Sequence, residues 1–475
     1  MHDILIRNGT VVNESTVEEL DVAIDGETIT ALLPRDGEPV AAREVVDAAG
    51  MLVLPGGIDP HVHYEVVSSH GTVVSESADN SIAAAVGGNT TVLDFAFHEH
   101  QPTTHDAVAE RMAKLDGRMA VDYGLHVILT GEPSFEVLEE IPDLVRMGLP
   151  SFKTFTTYRW IMDDGYRFGV MQAVAEAGGM SVIHAEDDAL IGWLTKKYQR
   201  EGKTHGAYIS ETRNALVEEA AVRRAVLLAE RAGSPLYVLH VGAGDAAAAI
   251  AEAHARGLPC FGEALIGNLS FTQDALWDRS PIEIDGRTFP DRGLLFNNYP
   301  VPKSAEDRER LWNALETGGL QAVSSDHFLA KAIDRFTHMG TTIPGVMSGQ
   351  AAVELRIPVL YTLGVATGRL DLPAFVRLIS ANSARLGGIY PRKGVLAPGS
   401  DADVLIFDPE ARWNVVVDEL AMDTDYSCWE GWELQGRVDT VILRGTPIVR
   451  DHVAVPQPPR GRFLERAIVP ALLPA

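Results

Sequence analysis

The pair His61-Val62-His63 directly follows Pro55-Gly56-Gly57-Ile58-Asp59-Pro60. Residues i and i+2 of a strand point to one face, so two imidazoles at this spacing can reach a single metal ion. Alone the pattern is weak: the chain has 15 histidines, and His98-Glu99-His100 repeats the spacing. Other strand-like runs strengthen it. Ser151-Phe152-Lys153-Thr154-Phe155 sets a lysine in an apolar strand. Ser181-Val182-Ile183-His184 and Leu236-Tyr237-Val238-Leu239-His240 end in histidine, and Ala322-Val323-Ser324-Ser325-Asp326 ends in aspartate. Singly, each reads as a satisfied polar residue or, for Asp326, as a turn or helix cap. Jointly they are hard to explain as packing.

Lys153 requires separate chemistry. An ammonium cannot ligate a cation and is costly to bury. Desolvation and nearby metal charge lower a lysine pKa, and the neutral amine can add carbon dioxide to become a carbamate. That anion has two oxygens that can bridge two metals. Its local sequence alone favours a snorkelling or salt-bridged lysine; the other ligands reverse that preference.

These residues need a scaffold that brings strand ends together. Between roughly 55 and 385, apolar runs alternate with helical segments. Strands are predicted near 57–59 and at 90–95, 121–129, 151–155, 180–184, 236–241, 258–262 and 321–325. A helix is predicted at 215–232, with Gly233 where a left-handed C-cap is wanted. About eight strands in this alternation predict an α/β fold, a (β/α)₈ TIM barrel, whose function sits at the C-terminal strand ends. Asn8-Gly9 and Asp25-Gly26 are hairpin signals in the N-terminal stretch. Residues 403–408 and 440–445 have the same strand texture. Both termini are therefore predicted to form one β-domain, from 1–54 and 386–475, beside a barrel of 55–385. The Pro-rich segment 455–459 reads as an extended arm leading to a short last helix.

Composition sets outer bounds. The 475 residues are 46% hydrophobic, enough for a large core. No run of about 20 apolar residues indicates a membrane span, and the N-terminus does not read as a signal peptide. A formal net charge of −26 disfavours nucleic acid and anionic membranes as partners. The only cysteines, Cys260 and Cys428, read as reduced thiols in the cytoplasm.

The order 56–63 (Gly-Gly-Ile-Asp-Pro-His-Val-His), Phe152-Lys153, His184-Ala185-Glu186, His240-Val241 and Ser324-Ser325-Asp326-His327 resembles the amidohydrolase superfamily, closest to its dihydropyrimidinase and hydantoinase branch. Asp122-Tyr123-Gly124-Leu125-His126, Tyr390-Pro391-Arg392-Lys393-Gly394 and Trp429-Glu430-Gly431-Trp432 extend the likeness over nearly the whole chain. The resemblance implies a barrel beside a β-sandwich built from both termini, a homotetramer (or dimer), and two divalent metal ions, zinc by family habit. His61, His63, carbamylated Lys153 and Asp326 would hold one metal; Lys153, His184 and His240 would hold the other. Tyr158, five residues after Lys153, would hydrogen-bond the developing oxyanion.

The chain also departs from that pattern. A Ser-Pro-Pro stretch is replaced by Tyr299-Pro300-Val301-Pro302, and Ile-Pro-Asn-Gly by Ile343-Pro344-Gly345-Val346. Dihydroorotases tend to carry arginine where this chain has Glu65, which argues against an acidic substrate. Tyr158, Glu65, Tyr299 and Gly345 are the candidate substrate contacts. His98, His100 and His105 read as exposed loop histidines. The chemistry expected is hydrolytic ring opening of a small cyclic amide or ureide, a hydantoin or dihydropyrimidine, to an N-carbamoyl amino acid. A hydroxide bridging the two metals attacks, and Asp326 moves the proton. Alternatives are an allantoinase, another cyclic imide or lactam hydrolase, and a non-catalytic scaffold relative. A one-metal deaminase is disfavoured by Lys153.

Overall fold

The computed structural model describes residues 1–35, 37, 40–66, 75–99, 101–338 and 340–474. Eight parallel strands form its central sheet: Gly57–Asp59, Asn89–His98, Asp122–Leu129, Ser151–Phe155, Met180–His184, Leu236–Val241, Cys260–Leu265 and Ala322–Ser324. They neighbour one another in chain order. Beyond the first and last strands, Val62 and His327 form a parallel bridge, and His63 N–H donates to His327 C=O at 2.9 Å. This joins the sheet into a barrel. Most of its strand residues are buried, as expected of a parallel sheet covered by helices.

The helix Ala215–Ala232 ends at Gly233, whose φ of 70° is the left-handed cap read from the sequence. One strand differs from its predicted bounds. The run predicted at 258–262 begins at Cys260 and continues to Leu265. The added residues include Glu263, whose carboxylate is satisfied inside the barrel by His61, Tyr237 and the His240 amide.

The termini build two sheets beside the barrel. One has four strands, in the spatial order Thr28–Pro34, Leu20–Asp25, His2–Arg7 and Ala42–Asp47. The other has seven and pairs Leu52–Pro55 antiparallel with the start of Val404–Asn414. Ile4, Ile6, Val22 and Ile24 from the first sheet share a buried cluster with Val53, Val404, Ile406 and Ile442 from the second. Asp25-Gly26 does turn a hairpin, between Leu20–Asp25 and Thr28–Pro34. Asn8-Gly9 does not. Asn8 turns at φ 64°, but His2–Arg7 and Thr10–Val12 enter different sheets. The turn chemistry was legible; the pairing was decided by which face each strand buries.

A buried ion cluster links barrel and sandwich. Lys393 Nζ lies 2.5 Å from Asp403, 2.9 Å from Asp122 and 3.1 Å from Asp401, and Arg444 adds a second cation on Asp122. Removing one partner of such a cluster leaves buried charge uncompensated. Lys393→Met is expected to lower stability by about 3–5 kcal/mol, read as a lower urea midpoint; an unchanged midpoint would refute it.

The arm after the Pro-rich stretch crosses the barrel base. Gly461 N–H donates to Met119 C=O at 2.8 Å, and Leu464 N–H to Tyr123 C=O at 2.8 Å. A Cβ at Gly461 would lie 2.0 Å from Val121 O, so only glycine fits. Arg466 is buried beneath the strands, with Nη2 donating to Ser151 Oγ at 2.9 Å and to Leu125 C=O. The last helix is a single 3₁₀ turn, Pro470–Leu472.

Candidate metal centre

His61, His63, His184, His240 and Asp326 come to the C-terminal ends of barrel strands, and Lys153 lies within the strand Ser151–Phe155, two residues before its end. His61 and His63 leave the first strand on one face, and both Nε2 atoms reach Asp326 Oδ1 at 3.2 Å. The two Nε2 atoms are themselves 3.2 Å apart. These three residues form one group with ligand atoms within 4.8 Å of one another. Opposite them, His184 Nδ1 and His240 Nε2 stand 2.9 Å apart. The His240 ring lies 5.3 Å from the His61 ring, so the groups adjoin.

Lys153 reaches between them. Its Nζ stands 4.2 Å from the Phe95 ring, which stacks on His63 at 4.8 Å. It is 4.9 Å from the Phe155 ring, which neighbours His184 at 5.7 Å. It has no hydrogen-bond or ion-pair partner among the described residues. Burial lowers its pKa to about 8, against the pull of Asp326 and Glu263. Burial alone would raise Asp326, but the charges of His61, His63 and Lys153 hold it at about 2.

Two carboxylates absent from the predicted site orient the histidines. Glu263 Oε1 lies 2.8 Å from His61 Nδ1, and Glu186 Oε2 lies 2.9 Å from His184 Nε2. Each takes its histidine's N–H, leaving His61 Nε2 and His184 Nδ1 as bare lone pairs. Those lone pairs face the other nitrogens and a carboxylate oxygen at about 3 Å. With His63, His240 and Asp326 they make a buried set of nitrogen and oxygen donors of the kind that holds metal ions, and His240 Nδ1 is enclosed without a partner among the described residues. His240 and Asp326 also hold left-handed backbone, at φ 41° and 45°, as does Tyr158 at 66°. Such strain persists only where surroundings over-determine it, and it gathers at functional sites.

Tyr158 is half-buried beside this centre, its ring 4.9 Å from His184 and its hydroxyl without a partner among the described residues. Tyr299 lies 6.0 Å from Tyr158 and donates its hydroxyl to Val346 C=O at 2.9 Å. Two predicted contacts also serve the protein's own loops. The Glu65 carboxylate accepts from Arg118 at 2.8 Å, from Ser77 and from the Ala78 amide, so it secures the loop base. Gly345 donates its N–H to Thr342 C=O at 2.7 Å, and its C=O accepts from Gly340 at 3.1 Å. The N–H is thus taken, and the C=O keeps one further lone pair.

His98 is half-buried at a strand end, with Nε2 enclosed and unpartnered, rather than exposed. His105 sits on the helix Thr104–Leu115, 3.5 Å from Glu140. His100 and most of the 64–71 loop lie outside the described residues.

Of the residues missed in the sequence, Glu186 was within reach of the i+2 rule applied to His184. Glu263 was visible as a lone charge in an apolar strand. Arg213, whose Nη1 donates to Glu186 at 2.5 Å, has no local signal.

Comparison with known proteins agrees with this geometry. The amidohydrolase family model matches residues 52–448. A D-hydantoinase of Ralstonia pickettii is 35% identical over 471 residues, covering 98% of this chain and 99% of that protein. The crystal structure of dihydropyrimidinase from Brevibacillus agri superposes with a TM-score of 0.90 at 34% identity, covering 98% of each chain. An L-hydantoinase (dihydropyrimidinase) from Arthrobacter aurescens superposes with a TM-score of 0.88 at 28% identity, covering 98% of this chain and 100% of that one. Full-length similarity in sequence and fold, with the histidines and aspartate converging at the barrel mouth, makes this chain a member of the amidohydrolase family.

Proposed function

We propose that this enzyme opens the ring of a small cyclic amide or ureide of the hydantoin or dihydropyrimidine type by hydrolysis. The observation that carries the proposal is the pair of adjoining donor groups with Lys153 reaching between them. Similarity to hydantoinases and dihydropyrimidinases over the full chain supports the substrate class.

In this reading His61, His63, Asp326 and Lys153 would hold one divalent cation, and Lys153, His184 and His240 would hold a second. Lys153 serves as a carbamate: its neutral amine bonds to the carbon of carbon dioxide and one N–H proton leaves. When bound, the cation pair, zinc in this reading, would supply Lewis-acid polarisation of the scissile carbonyl and a water pKa near neutrality. Asp326 accepts the proton of the attacking water and returns it to the leaving ring nitrogen. Tyr158, with its free hydroxyl beside His184, donates to the oxygen that gains charge. The product would be an N-carbamoyl amino acid. The barrel of 55–385 is the catalytic unit, supported by 1–54 and 386–475.

A homotetramer in the cytoplasm completes the proposal. Two free, buried cysteines suit a reducing compartment, and light scattering would read the assembly. No helix among the described residues is long and apolar enough to cross a membrane.

Metal analysis should be paired with rates on hydantoin, a 5-substituted hydantoin, dihydrouracil, allantoin and glutarimide. Two metals per chain with fastest turnover of a hydantoin or dihydrouracil is the expected result. Fastest turnover of allantoin or glutarimide would move the substrate class, and no turnover of any would favour the scaffold reading.

Glu263→Gln is expected to weaken metal binding about 10–100-fold. The amide still reaches His61 but no longer takes its N–H as a charged acceptor. Competition with a chelator measures this, and an unchanged affinity would exclude the orienting role.

A further inference from the structure

Arg213 lies outside every sequence motif, immediately before Asn214, the N-cap of the helix Ala215–Ala232. Its side chain is buried. Besides its 2.5 Å bond to Glu186, its guanidinium carbon stands 4.0 Å from the Tyr299 ring centroid and 5.1 Å from that of Tyr158. Its backbone is tied as well: Lys303 Nζ donates to its carbonyl at 2.6 Å. One cation therefore joins the carboxylate that orients His184 to two aromatic rings. Glu186 and the ring faces offset the cost of burying it.

Tyr158 needs such support. Its left-handed backbone is unfavourable for a bulky residue. Its other ring neighbours are Phe155 at 6.1 Å, Trp160 at 5.8 Å and His184 at 4.9 Å. With no partner on the hydroxyl among the described residues, packing aims the phenol. A planar guanidinium against the ring restrains its tilt in a way an ammonium cannot. Tyr299 stands where the hydantoinase pattern has serine, so the two-ring bracket is a departure by this chain.

We propose that Arg213 is a positioning residue that aims the Tyr158 hydroxyl at the reacting carbonyl, with Tyr299 holding the guanidinium against it. This rests on Tyr158 as the oxyanion donor. Arg213→Lys keeps the charge and removes the plane.

The test compares wild type, Arg213→Lys, Tyr158→Phe and the double variant. It measures kcat and KM on the best substrate of the panel, metal content, and ¹⁹F NMR of protein labelled with 3-fluorotyrosine. Arg213→Lys should lower kcat about 10–100-fold, with KM within about threefold and metal retained. In the Tyr158→Phe background it should cost less than about twofold more. The fluorine resonance that Tyr158→Phe abolishes should shift or broaden in Arg213→Lys. Wild-type kcat, equal losses in both backgrounds, or an unmoved resonance would overturn the proposal. If Arg213→Lys loses metal, Tyr299→Ser takes its place: it strips one side of the bracket, should move the same resonance, and an unmoved one refutes the inference. A wild type that hydrolyses nothing in the panel would refute the functional reading, while the fluorine comparison still decides whether Arg213 holds Tyr158. Full activity of Tyr158→Phe would end the oxyanion role and this inference with it.

Discussion

Replacing Lys153 with alanine should remove at least one metal per chain and lower kcat/KM by about 10³-fold or more, roughly 4 kcal/mol of transition-state stabilisation. The side chain is buried between the Phe95 and Phe155 rings without a polar partner among the described residues. A buried lysine of purely structural purpose would have a carboxylate or carbonyl of the protein to satisfy its ammonium. Lys153→Arg should fail equally, because a guanidinium stays protonated and cannot form a carbamate. Propionate added to the alanine variant should restore part of the rate, since a small carboxylate can fill the gap and bridge the same positions. Metal analysis and steady-state rates read all three. Two metals per chain and wild-type turnover in Lys153→Ala would remove the carbamate from the mechanism.

Asp326→Asn should lower kcat by about 10³-fold with much of the metal kept. The amide preserves shape and one oxygen donor toward His61 and His63, both 3.2 Å from Oδ1 in the parent. It cannot accept the proton of the attacking water. The loss should therefore fall on kcat more than on KM. A variant that keeps wild-type kcat would assign proton transfer elsewhere.

The strand–helix alternation was legible because parallel barrel strands are buried on both sides and read as apolar runs. The positions of His61, His63, Lys153, His184, His240 and Asp326 were legible because a polar residue inside or at the end of such a run stands out. The supporting residues were harder to see. Glu263 finds its partners, His61 and the His240 amide, inside the barrel, where only the fold brings them together. Arg213 and Glu186 lie 27 positions apart, and their pairing is a product of the fold. Gly345 was read as a free backbone contact, while its N–H and C=O also close a local turn with Thr342 and Gly340. Glu65 was read as facing the substrate, while Arg118 from a later helix end claims it.

The pairing of Leu52–Pro55 with Val404–Phe407 has a consequence for biosynthesis. A ribosome adds about 5–20 residues per second, so the partner strand emerges on the order of tens of seconds after the first. Through that interval the early strands carry an open edge able to template intermolecular pairing. Yield of soluble protein from an expression host therefore depends on how well nascent chains are shielded while translation continues, and slower growth with ample chaperone favours recovery.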